Sequence, residues 1–136
     1  MVAFTAIVAL ANLGITIWHL RLAGELNPAL SFAQAARIGT GAALLTLAGV
    51  CLLWAKHRLA GSAVLVVMFA IGLVIGSLEH FFIAGPNNVF DCGIGSVALL
   101  FRFNVGLLMA LEIAGLWGAA CLIRSTWRSA AWAGSH

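Results

Sequence analysis

The sequence has little charge. Seven of its 136 residues are Lys or Arg and four are Asp or Glu, together 8%, where a soluble domain carries about a quarter. Hydrophobic residues make up 63%. Such a chain cannot hide its apolar surface in one soluble core, which argues for a single-domain integral membrane protein, residues 1–136. Its few basic residues flank apolar runs and form no dense patch, so the net charge of +3 is no nucleic-acid signature, and no nucleic-acid partner is expected.

Other absences narrow the chemistry. There are three cysteines. Cys51 and Cys121 fall within apolar runs, where a free thiol acts as a small hydrophobe. Cys92 stands alone in a loop and has no partner for an internal disulfide there, although it could link two chains. No nucleophile elbow or phosphate-cradling glycine loop is present. Gly39-Thr40-Gly41 is followed by Leu44 where a dinucleotide fingerprint needs a third glycine. No H-x-x-x-H, H-E-x-x-H or cysteine-pair spacing marks a metal motif. With no soluble domain to hold a nucleotide, any catalysis would act on a lipid, a quinone or a membrane-bound cofactor.

What is present is four long apolar runs, predicting an all-α bundle of four transmembrane helices at about 3–22, 37–55, 60–82 and 97–123. Each supplies the roughly 20 residues needed to cross hydrocarbon. Helices satisfy their own backbone groups, which open strands in lipid cannot do. The first run lacks the positive flank of a cleaved signal peptide and is kept as a helix. The short connection at 56–59 makes the second and third helices antiparallel neighbours. The tail, 124–136, is expected to lie at the membrane interface.

Charge placement orients the chain. Lys56, Arg58, Arg124 and Arg128 share one side without an acid. Arg21 and Arg37 share the other with Glu25, Glu79 and Asp91. The positive-inside rule then puts both termini in the cytoplasm, as in a bacterial inner-membrane protein. Trp54, Trp117, Trp127 and Trp132 near the inner end, and Trp18 near the outer end, fit an aromatic belt.

One pattern stands out against the apolar background. His19-Leu20-Arg21-Leu22-Ala23-Gly24, with Asn27 three residues on, returns 61 positions later as His80-Phe81-Phe82-Ile83-Ala84-Gly85, with Asn88 three residues on. The match suggests two parallel helix-hairpin repeats that carry two imidazoles to one depth near the outer face. The second and fourth helices show no clear match at this offset.

Polar residues within spans are costly and usually face a partner helix, a cavity or a ligand. Asn12, Thr16 and His19 form one helical stripe, and Gly72, Gly76 and His80 form another, with Glu79 beside it. Gly72-x-x-x-Gly76 also reads as a helix-packing face. On the fourth helix Arg102 and Asn104 lie toward the outer half, and Glu112 lies near mid-membrane. After the third helix, Gly85-Pro86-Asn87-Asn88 marks a sharp turn. The apolar stretch that follows could fold back over the outer mouth.

Three functional expectations follow. The first is a small binding or accessory subunit of a redox or metal-handling membrane assembly, taking haem or a transition metal. Imidazoles ligate both. His19 and His80 would be ligands, Glu79 and Asp91 further ligands or partners to them, and Arg102 a charge partner for a propionate or headgroup. The second is a small oligomeric transporter or channel using Glu112, with Asn12, Thr16 and Asn104 along its path. The third is a structural subunit of a larger membrane complex. The expected partners are the lipid bilayer and either further copies of the chain or a larger assembly.

Overall fold

The computed structural model describes residues 1–27, 29–30 and 32–133. Four helices carry them: α1 (Val2–Leu26), α2 (Phe32–Trp54), α3 (Arg58–Ser77) and α4 (Ser96–Ala133), with a π-helical turn, Leu78–Phe82, continuing α3. All four helical segments are long and apolar enough to cross a membrane. No strand occurs among the described residues.

The expected spans fall inside these helices except that the second runs one residue past Trp54. α1 and α2 extend into the predicted first loop and leave only a short connection. α1 ends at Asn27, whose N–H donates to the Ala23 carbonyl at 2.8 Å. The Asn27 side chain accepts from the Ala29 N–H at 3.1 Å, the local turn that Asn favours. α4 runs unbroken for 38 residues, roughly 57 Å at about 1.5 Å per residue. The tail expected at the interface from Arg124 therefore continues this helix as far as Ala133. Its last three residues lie outside the described ones.

The turn between α2 and α3 is as tight as its length requires. His57 N–H reaches back to the Leu52 carbonyl at 2.9 Å and Lys56 N–H to the Leu53 carbonyl at 3.2 Å. Lys56 takes φ 66° to do so, the left-handed position that a glycine usually fills. Beside this turn the two backbones nearly touch. A Cβ on Gly61 would lie 2.8 Å from the Gly49 carbonyl oxygen, and small residues allow such approaches.

α1 packs against α2 and α4, and α3 against α2 and α4, so α1 and α3 stand diagonally across the bundle. α4 runs antiparallel to both. Thr5 of α1 meets Gly118, and Phe69 of α3 meets Gly115. Two apolar clusters form the interior. One, near the α2–α3 turn, contains Val50, Leu65, Phe69 and Leu122. The other, at the opposite end, contains Leu22, Ala98, Phe101 and Val105.

Between the apolar clusters the interior also takes in polar groups, while many aliphatic side chains face outward. On α1 the buried residues include Thr5, Asn12 and His19, while Ile7 and Ile17 are 66% and 59% exposed. Val67 and Val74 of α3 and Leu99 and Phe103 of α4 also face outward. Polar groups inside and aliphatic groups outside suit an apolar surrounding.

Candidate functional site

His19 and His80 meet at the end of the bundle that carries the α1–α2 and α3–α4 connections. Their ring centroids are 4.7 Å apart with planes at 64°. Phe101 of α4 closes the group, 5.2 Å from the His19 ring and 5.6 Å from the His80 ring. All three are buried, and Phe101 has no exposed surface.

His80 reaches this position from the π turn. The Ile83 N–H donates to the Leu78 carbonyl at 2.9 Å, one residue beyond α-helical spacing. This widens the helix locally, as π turns at functional positions often do. The following loop folds back onto His80. Val89 N–H donates to its carbonyl at 3.0 Å, and Asn88 Nδ2 donates to the Ile83 carbonyl at 3.0 Å. Arg102 holds the same loop from α4, donating to the carbonyls of Val89 at 2.8 Å and Gly93 at 3.0 Å.

Hydrogen bonding orients both imidazoles. Asn104 Nδ2 donates to the Ile15 carbonyl at 3.3 Å. The other end of its amide, Oδ1, therefore faces His19 and can only accept, so His19 Nδ1–H donates to it at 2.9 Å. His80 Nδ1–H donates to the main-chain carbonyl of Asn87 at 2.9 Å. In the neutral rings both Nε2 atoms then carry lone pairs, and neither has a hydrogen-bond partner among the described residues. A ring N–H bound to a carbonyl, with the other nitrogen free, is the arrangement that orients metal-ligating histidines.

The spacing discriminates between ligand geometries. With metal–nitrogen bonds of about 2.0–2.1 Å, opposed axial imidazoles hold their centroids about 6.4 Å apart. The observed 4.7 Å is shorter than that, and is the separation two adjacent ligands on one ion would have at an angle of roughly 95° for the same bond lengths. As packed, the rings are not spaced to sandwich a haem iron.

A cavity of about 560 Å³ extends from this pair along the bundle. Asn12 and Thr16 line it from α1, Gly72 and Glu79 from α3 and its π turn, and Glu112 from α4. Ile38, Ile71 and Ile75 also line it yet are about half exposed, so it communicates with the bundle surface. Asn12 Oδ1 and Asn87 Oδ1 are buried without hydrogen-bond partners, and both residues line the cavity. Glu112 lies midway along the bundle, 3% exposed, against Gly72.

The structure thus gathers some of the residues singled out in the sequence and separates others. His19, His80, Asn12, Thr16, Glu79 and Glu112 share the cavity. Asp91 stands apart, accepting from the Gly85 N–H at 3.2 Å within its own loop. Among the described residues no group of three or more His, Cys, Asp or Glu could hold a metal ion, so any ion at the pair would have two histidine ligands and an open remainder. Arg102 is engaged with loop carbonyls, and Asn104 positions His19. The roles of Phe101 and of the Asn87 carbonyl had no sequence signal: one is a Phe in an apolar run, the other a main-chain atom.

Compared with protein-family models, with curated proteins and with solved structures, the chain has no match in any of the three.

Proposed function

We propose that the chain is a small membrane-embedded accessory subunit of a redox or metal-handling assembly, and that it holds a transition-metal ion at His19 and His80. The observation that carries this reading is the paired tautomer. Two buried rings 4.7 Å apart each give Nδ1–H to a carbonyl oxygen at 2.9 Å, leaving an Nε2 lone pair on each ring. Imidazole nitrogens suit zinc, copper, nickel and iron. Asn87 Oδ1, buried and unpartnered, is a candidate oxygen ligand, since the carbonyl of the same residue holds His80. A site with open positions suits an ion that is taken up and passed on. Haem would require the two rings to part.

The membrane setting rests on the four apolar helices and their outward aliphatic side chains. Lys56, Arg58, Arg124 and Arg128 cluster at the end that also carries both termini, which supports cytoplasmic termini and an outward-facing histidine pair, as in a bacterial inner membrane. Parallel α1 and α3 with a histidine at one level are compatible with a hairpin repeat. So small a bundle would act within a homo-oligomer or a larger complex.

The test is a Co²⁺ titration of the detergent-purified protein, followed by its visible absorption, with an absorption scan of the untreated protein. Near-stoichiometric binding that is lost in a His19→Ala/His80→Ala variant is expected. A protein that binds no metal and has no chromophore would sink the reading.

A second reading draws on Glu112, a buried carboxyl group in the same cavity that has no hydrogen-bond or ion-pair partner among the described residues. A transporter would use it as the coupling residue, with Asn12 and Thr16 along the path and Asn104 bracing it. Flux into vesicles that is lost in Glu112→Gln but kept in His19→Ala would favour this over the metal site.

A further inference from the structure

The deep half of the cavity holds chemistry that the histidine pair leaves unused. Among the described residues Glu112 has neither a hydrogen-bond nor an ion-pair partner. Its carboxyl group rests on Gly72 of α3, where any Cβ would collide with it. Asn12 is 6% exposed, and its Oδ1 is buried without a donor. The register that sets Thr5 at Gly118 and His19 at Asn104 puts Asn12 level with Glu112. Thr16, one turn along α1, gives its hydroxyl proton to the Asn12 carbonyl at 2.8 Å and keeps its lone pairs. Carboxyl, amide and hydroxyl oxygens, all acceptors, therefore line the same stretch of the cavity. Arg37, the one Lys or Arg on the lining among the described residues, is exposed at the opposite, loop-bearing end.

Volume and wall chemistry narrow the occupant. At about 560 Å³ the cavity is of small-molecule size, a class of roughly 300–1,000 Å³, and a bare ion would leave most of it empty. Leu45, Met68, Ile71 and Leu108 make the walls largely apolar, which disfavours a hydrated ion. A buried carboxylate calls for a cation or a donor, and a primary ammonium offers three N–H donors.

We propose that the deep end of this cavity binds the primary ammonium group of an amphiphilic amine. The nitrogen sits among Glu112, Asn12 and Thr16, and the hydrocarbon body lies along the apolar walls. This rests on the membrane-embedded reading above but not on a metal at the histidine pair.

The experiment is equilibrium dialysis of 4-phenylbutylamine, its trimethylammonium analogue and 4-phenylbutanol against the full chain in a non-ionic detergent. The primary amine is expected to bind at least about tenfold more tightly than either analogue, and at least about tenfold more weakly to Glu112→Gln, as loss of charge-assisted hydrogen bonds requires. Equal binding of amine and alcohol, or of wild type and a Glu112→Gln variant that elutes as a folded protein, overturns the proposal. Should that variant fail to fold, the three-ligand comparison on the wild type decides alone. Competition by phosphatidylethanolamine but not phosphatidylcholine would support a lipid headgroup as the source of the ammonium, and competition by neither would support a free amine. Co²⁺ titration of the same preparations reports separately on the histidine pair, so amine binding without metal binding overturns only the metal reading.

Discussion

Asn104 ties His19 to its own helix from across the bundle. Its Oδ1 accepts from His19 Nδ1 at 2.9 Å while its Nδ2 donates to the Ile15 carbonyl, one turn earlier on α1, at 3.3 Å. Replacing Asn104 by Leu leaves a buried ring N–H unpaired. The expected cost is about 1–3 kcal/mol, with metal affinity at the pair lowered roughly 10–100-fold, as for other residues that orient ligating histidines. Asn104→Asp keeps the acceptor and should retain more of the affinity. Thermal unfolding in detergent and Co²⁺ titration separate the two effects.

Phe101 supports both imidazoles and has no exposed surface. Phe101→Ala should destabilise the protein by about 3–5 kcal/mol, the range for large-to-small changes in a packed interior. Phe101→Leu should cost less yet leave the rings less fixed, and this would appear as a broadened visible spectrum of the Co²⁺ form.

Two helix glycines should respond with opposite signs. A Cβ at Gly115 would meet the ring of Phe69, which is fully buried. Gly115→Ala should therefore cost about 1–3 kcal/mol through overpacking. Gly14 has nothing within 4 Å of a built Cβ, so Gly14→Ala should stabilise by up to about 1 kcal/mol through helix propensity. Equal effects in unfolding titrations would refute the packing register of α3 on α4.

Lys56 occupies a left-handed backbone position at φ 66°, which costs a side-chain-bearing residue roughly 1–2 kcal/mol. Lys56→Gly should therefore raise the unfolding midpoint. Lys56→Ala, which keeps the strain, should not. Because Lys56 is also one of four basic residues at that end, a C-terminal reporter fusion should accompany the measurement and show the orientation unchanged.

Much of this architecture was legible without coordinates. The four helices cover the predicted spans to within one residue, because a run of apolar residues bounded by charged or turn-forming ones is a local property. The level of the two histidines was legible too, since both stand near the same end of helices running the same way. The apolar stretch 94–101 read as folding back over the outer mouth instead starts α4 at Ser96, and it is the segment before it whose Asn87 carbonyl holds His80 and whose Val89 and Gly93 carbonyls hold Arg102.

The roles of individual side chains were less legible. Arg102 read as a ligand's charge partner but braces a loop. Asp91 read as a metal ligand but closes a turn. Asn104 read as part of a path but orients His19. Each is a polar residue at a suitable depth, and depth is all that linear position conveys.

By itself the sequence determined the four apolar helices and most of their limits, though not the continuation of α4 to Ala133, because hydrophobic length acts residue by residue along the chain. The tertiary structure alone decided that His19 and His80 touch, that both offer Nε2, and that Glu112 rests on Gly72 within a shared cavity. Those relations depend on the rotation of each helix about its axis and on register across the bundle. A π turn of five residues or a slip of one position changes both while leaving the hydropathy pattern as it was.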